Sequence, residues 1–148
     1  DVLKMPMDAS GNSILVTASD TFTKWVEARV VRREDAFSVI EALVSMFTSL
    51  GLPSYIKTDR GSVFRSHVMQ QLAQRFGAAK IKYGSSYHPQ SQGQIERWHR
   101  TFLMMLKSFG QQFANCWSAA LPLLLYCYRT TPSTTTHVTP FRAMFGRD

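Results

Sequence analysis

Two neighbouring runs near the start of the chain have strand character. SILVTAS (Ser13 to Ser19) is rich in β-branched residues, and TKWVEARVV (Thr23 to Val31) alternates in polarity. The second run sets Trp25, Glu27, Arg29 and Val31 on one side and Val26, Ala28 and Val30 on the other. The intervening Asp20-Thr21-Phe22 predicts a hairpin turn, and ASGNS (Ala9 to Ser13) is a turn signal ahead of it. From Arg33 to Gly51 the period changes to that of a helix. Phe37, Ile40, Leu43, Val44 and Phe47 form the expected apolar stripe, and Gly51 with Pro53 end it. SYIKT (54–58) predicts a short buried strand, Ser66 to Gly77 a second helix with Val68, Leu72 and Phe76 inward, and KIKYG (80–84) a further strand. A long helix is expected from about Gln92 to Gln112, with Ile95, Trp98, Phe102, Met105 or Leu106, and Phe109 facing the core. The last is expected over Cys116 to Arg129, with Pro122 kinking or restarting it. With a shortened first strand at the N-terminus, the order is β-β-β-α-β-α-β-α-α. That is an α/β domain, one mixed sheet with helices on its faces, spanning residues 1–148.

Charge adds a direction. The net charge is +7, and it is segregated: residues 1–59 hold 6 basic and 8 acidic side chains, residues 60–148 hold 11 and 2. A polyanion, nucleic acid before membrane surface, is the expected partner of the second half. No apolar run approaches the ~20 residues of a membrane span, and DVLKMPMD has neither the basic nor the apolar region of a signal peptide. Cys116 and Cys127 stand roughly 16 Å apart if both lie on one helix, too far for a disulfide. They read as reduced core thiols of an intracellular protein, and no His–Cys spacing suggests zinc.

The carboxylates are then the informative residues. Glu96 is the one acid between Arg60 and Arg147. On a helix it shares a narrow face with Gln92, Arg100, Leu103 and Lys107, where an ordinary Glu96–Arg100 ion pair is the simplest account. Asp59 follows a strand, at the sheet edge where open α/β sheets bind ligands, although Asp also serves there as a turn cap. For a third acid Asp1 and Asp20 compete, and the residues alone leave that choice open.

Five motifs, DVLKMP, SDTFTKWVEA (19–28), TDRGSVF (58–64), YHPQSQGQIER (87–97) and YRTTPSTTTHVTPFRAMFGR (128–147), occur in this order. With them the chain resembles the catalytic core of a retroviral or long-terminal-repeat retrotransposon integrase, nearest the gypsy/Ty3 type, along nearly all its length. The resemblance implies a ribonuclease-H-like fold with a mixed five-stranded sheet, its first strand truncated here. It also implies a DDE triad of Asp1, Asp59 and Glu96, with Asp20 in the hairpin turn and off the metal. Such a triad would hold Mg²⁺ or Mn²⁺, two ions, for phosphoryl transfer: 3′-end processing of the element's DNA and its joining to target DNA. Tyr87, Gln92 and Arg100 would lie near the DNA end, Lys107 on a phosphate, and Ser91-Gln92-Gly93 in a mobile loop. His99 stands where the family often has Asn. The implied setting is a homodimer or higher oligomer on DNA, in a cytoplasmic virus-like particle and then the nucleus, with flanking zinc-binding and DNA- or chromatin-binding domains. The alternatives are a domesticated, non-catalytic DNA- or protein-binding domain, or another ribonuclease-H-like nuclease or transposase.

Overall fold

The structure, a computed structural model, describes residues 1–59, 61, 64–66, 69–70, 80–83, 93–110 and 115–147. The elements in order are β1 (Val2–Lys4), β2 (Ile14–Ser19), β3 (Val26–Val31), α1 (Ala36–Leu50), β4 (Tyr55–Thr58), β5 (Lys80–Tyr83), α2 (Gly93–Ser108), α3 (Trp117–Thr130) and α4 (Pro140–Phe145). Beyond Gln70, the expected helix over 66–77 lies outside the described residues; Met69, within it, is fully buried.

The five strands are mixed in direction, as expected. β1, β2 and β3 form an antiparallel ladder with Val2 opposite Val16 and Leu15 opposite Val30. β4 and β5 pair in parallel with Ile56 opposite Ile81. The expected single sheet is thus divided into two ladders. β1 has three residues, and among the described residues its ladder is to β2 alone.

Side-chain alternation in β2 explains the layering. Val16 joins a cluster with Val39, Leu43 and Met46 of α1, against which Ile56 and Ile81 also pack. Both ladders therefore contribute to one apolar cluster. Leu15 points the other way, into a second cluster with Val26, Trp98, Phe102, Trp117 and Leu124. Helices on both faces exclude water from the strands, and this apolar burial, worth about 25 cal/mol per Å², is the main stabilising term.

Several expectations are corrected in detail. The buried face of α1 is Val39, Ile40, Ala42, Leu43 and Met46, while Phe37 is 72% exposed. The helix starts only at Ala36, capped by Asp35, whose side chain accepts from Ser38 N at 2.9 Å. The cap fixes where the helix begins, and packing on the sheet covers Val39 and leaves Phe37 outside. α3 runs through Pro122 without restarting, and Trp117, Leu121, Leu124 and Leu125 are all spent on the domain's own core. Helix α4 was not expected. Thr139 caps it by accepting from Arg142 N, Pro140 occupies its first turn, and Gly146 closes it in the left-handed region at φ 71°. Cys116 and Cys127 are half-buried thiols, not joined in a disulfide. Among the described residues no helix is long and apolar enough to cross a membrane.

Candidate active site

Three acids from separate elements line one cavity of about 630 Å³: Asp1, Asp59 and Glu96. Its wall includes Met46, Phe47, Phe64 and Ile95, so the carboxylates face a partly apolar hollow.

Asp1 continues the β1–β2 ladder by one rung. Its amino group donates to Thr17 O at 2.7 Å, and Thr17 N donates back to Asp1 O at 2.8 Å. Oδ1 of Asp1 accepts from Val2 N at 2.7 Å. Behind it stands His99, buried, with Nε2 3.0 Å from the Thr17 hydroxyl and Nδ1 3.9 Å from Asp1 Oδ2. The Thr17 hydroxyl donates to Asp1 O at 3.2 Å. The hydroxyl thus links the His99 ring to the Asp1 backbone. Burial, and next the Asp1 amino group, lower His99 to about 4, so the ring is neutral at pH 7. The 3.9 Å approach to Asp1 is therefore not an ion pair.

Asp59 lies one residue past β4. Its Oδ1 accepts from Gly61 N at 3.0 Å, a local Asx turn. A Cβ at position 61 would sit 3.0 Å from that same oxygen, so a side chain there would have to displace the Asp59 carboxylate by a few tenths of an ångström. Thr58, beneath it, is buried with no hydrogen-bond partner for Oγ1 among the described residues. Glu96 is exposed in the first turn of α2, where the helix dipole favours a carboxylate. Arg100 and Lys107 are exposed further along α2. Tyr87 and Gln92 lie outside the described residues.

Asp20 lines the cavity too, but its chemistry is spent locally. Burial raises its pKa, and the bonds to Oδ2 from Thr23 N (2.7 Å) and Thr23 Oγ1 (2.6 Å) outweigh this and lower it. Glu27 also lines the cavity, and it is committed as well: to Trp25 Nε1 at 3.0 Å and to Arg129 and Arg29, each at 2.7 Å. The period-two pattern placed Glu27 on a strand face, but no local signal revealed Arg129 as its partner. Nor did any signal mark Thr17 as a support of the site.

Hard carboxylate oxygens in this number suit a hard divalent cation. As placed, however, the three side chains share the cavity without converging: among the described residues no three His, Cys, Asp or Glu side chains approach closely enough to hold an ion. Two carboxylates ~5 Å apart repel by about 3 kcal/mol at an effective dielectric of 20, which opposes closer approach without a cation.

The family profile for the integrase core domain matches residues 1–89. The chain belongs to the integrase core domain family. The matched stretch of this integrase core holds Asp1 and Asp59; Glu96 lies beyond it. The core is 33% identical over 147 residues to the Gag-Pol polyprotein of avian reticuloendotheliosis virus, covering 99% of this chain and 13% of that one. It is 36% identical over 139 residues to the Pol polyprotein of radiation murine leukemia virus (strain Kaplan), covering 92% of this chain and 23% of that one. It thus spans under a quarter of either relative.

Among solved structures, it is similar to the catalytic core domain of BIV integrase, with a TM-score of 0.76 and 24% identity over 99% of this chain and 91% of that one. A chain of the simian T-cell lymphotropic virus intasome, in complex with the PP2A regulatory subunit B56 gamma, gives 0.83 and 23% over 98% and 52%. The HTLV-2 integrase catalytic core domain, in a trimeric form with magnesium, gives 0.76 and 19% over 97% and 90%. The fold is ribonuclease-H-like.

Proposed function

We propose that this integrase core is a polynucleotidyl transferase that processes the 3′ ends of retroelement DNA and joins them to target DNA. The observation that carries the reading is that Asp1, Asp59 and Glu96, from three elements far apart in sequence, line one cavity. In the first step a water oxygen attacks a phosphorus, the bond to the departing 3′ oxygen breaks, and a free 3′ hydroxyl is left. In the second step that hydroxyl attacks a target phosphodiester, one P–O bond forming as another breaks. Bond number is conserved, so no nucleotide cofactor is required.

Asp1, Asp59 and Glu96 would hold Mg²⁺ or Mn²⁺, two ions, which when bound supply Lewis-acid stabilisation of the attacking and leaving oxygens. Arg100 and Lys107, on the face that carries Glu96, bind phosphates and orient the strand. Tyr87 and Gln92 complete the contacts to the DNA end. His99, neutral, holds Thr17 and so the rung on which Asp1 sits. The core acts as a dimer or higher oligomer, in the nucleus at integration. The second reading is a non-catalytic DNA- or protein-binding core.

Disintegration of a branched DNA substrate separates the two readings. Activity that needs Mg²⁺ or Mn²⁺, and that falls to background in Asp59→Asn and in Glu96→Gln with unchanged urea unfolding, is the expected result. Activity retained in both variants, or in chelator, would overturn the first reading.

A further inference from the structure

Glu96 needs a fixed place relative to Asp1, and the structure shows how one strand can provide it for both. Asp1 is held on β2 through Thr17. Asp20 follows the end of the same strand, about 10 Å further along at ~3.3 Å per residue. Gln94, two residues before Glu96, reaches Asp20. Its Nε2 donates to Asp20 O at 2.9 Å, and its Oε1 accepts from Lys24 Nζ at 3.1 Å. Lys24 is itself fixed: Nζ donates to Thr21 O at 2.6 Å, its backbone N donates to Asp20 O at 3.1 Å, and its φ of 65° lies in the left-handed region. The turn is rigid, with Asp20 N donating to Trp25 O at 2.8 Å and the Asp20 carboxylate gripping Thr23. It stands on the best-buried strands, with Leu15, Val16 and Val26 all at 0% exposure.

The amide is chemically specific here. Reversing its ends would set N–H against an ammonium and oxygen against a carbonyl. A carboxylate at 94 would keep Lys24 and repel Asp20 O. We propose that Gln94 is a positioning residue: its amide latches the first turn of α2 to the β2–β3 turn, and so sets where Glu96 stands across the cavity from Asp1. The functional consequence rests on Glu96 acting in phosphoryl transfer as proposed above.

The test uses this chain with Gln94→Ala, Gln94→Glu, Lys24→Ala and the Lys24→Ala/Gln94→Ala double variant. Hydrogen exchange is read at the amides of Arg97 and Trp98, which bond back to the carbonyls of the first turn. It should speed up by about tenfold in Gln94→Ala, which loses both bonds, and by about threefold in Lys24→Ala, which loses one. The double variant should go no further than Gln94→Ala. DNA affinity in chelator should stay within about twofold, while the Mg²⁺ concentration for half-maximal disintegration rises by about tenfold as Glu96 is misplaced. Gln94→Glu, which keeps Lys24 and loses the donor to Asp20 O, should fall between the unsubstituted chain and Gln94→Ala. Unchanged exchange, or additive effects in the double variant, would overturn the latch. So would a loss of DNA affinity in Gln94→Ala that Lys24→Ala does not reproduce, because Gln94 would then be a DNA contact. A parallel Glu96→Gln variant that kept its turnover would overturn the phosphoryl-transfer reading, and the exchange result would still report the latch itself.

Discussion

Arg129→Ala should destabilise the fold by about 2–3 kcal/mol, the range for losing charge-assisted hydrogen bonds at a mostly buried site. The guanidinium, 19% exposed, lies 4.1 Å over the Trp25 ring. It donates to Val26 O from Nε at 3.1 Å and from NH2 at 2.7 Å, and to Glu27 at 2.7 Å. It thereby fastens the end of α3 to the outer edge of β3. Its removal takes away a cation–π contact worth about 0.5–2 kcal/mol and leaves Val26 O short of donors. Glu27 is not stripped bare, because Arg29 at 2.7 Å and Trp25 at 3.0 Å still donate to it. The cost therefore stays below the ~3–5 kcal/mol seen when a buried charge loses its partner. Arg129→Lys keeps the charge and one donor but loses the planar fork, and should cost about 1 kcal/mol less. Urea unfolding, with m unchanged, measures each value. A double-mutant cycle with Glu27→Gln should give a coupling of about 1–2 kcal/mol. A loss under about 0.5 kcal/mol for Arg129→Ala, the scale of an ordinary surface change, would refute the argument.

Stability should rise with pH from about 4 to 6.5, because the unfolded imidazole of His99 binds a proton there and the folded one does not. His99→Asn should flatten this window, read by urea midpoints across pH; a rise that persisted in full would refute the assignment. Gly61→Ala places a Cβ 3.0 Å from Asp59 Oδ1 and should lower disintegration turnover about tenfold with the unfolding midpoint unchanged. The log–log dependence of DNA affinity on salt should have a slope of roughly −0.9 per neutralised phosphate, and Arg100→Ala/Lys107→Ala should reduce it by about 1.8. An unchanged slope would remove both residues from the phosphate contacts.

The order of strands and helices was legible because each element carries its own period. β2, β3 and α2 fall within a few residues of expectation, and Gly51 closes α1 as its position suggests. The rotation of α1 was not legible. Phe37 and Val39 are both apolar, and only the sheet decides which is covered. The cap and stop of α4 were present in Thr139, Pro140 and Gly146, yet six residues are too few for a period to show.

By itself the sequence determined the element order, the segregation of charge and the motifs of the family, and it singled out Asp59 and Glu96 while leaving Asp1 and Asp20 to compete for a third place. It could do so because these depend on residue type and on short spacings along one chain. Tertiary structure alone decided that Asp1, Asp59 and Glu96 line one cavity, and that Asp20 and Glu27 are occupied by Thr23, Trp25 and two arginines. It also decided that His99 is buried and neutral behind Asp1. A carboxylate's role depends on its partners and on its exposure to water. For these residues the partners come from elements as far apart as Glu27 and Arg129, a juxtaposition that no local pattern encodes.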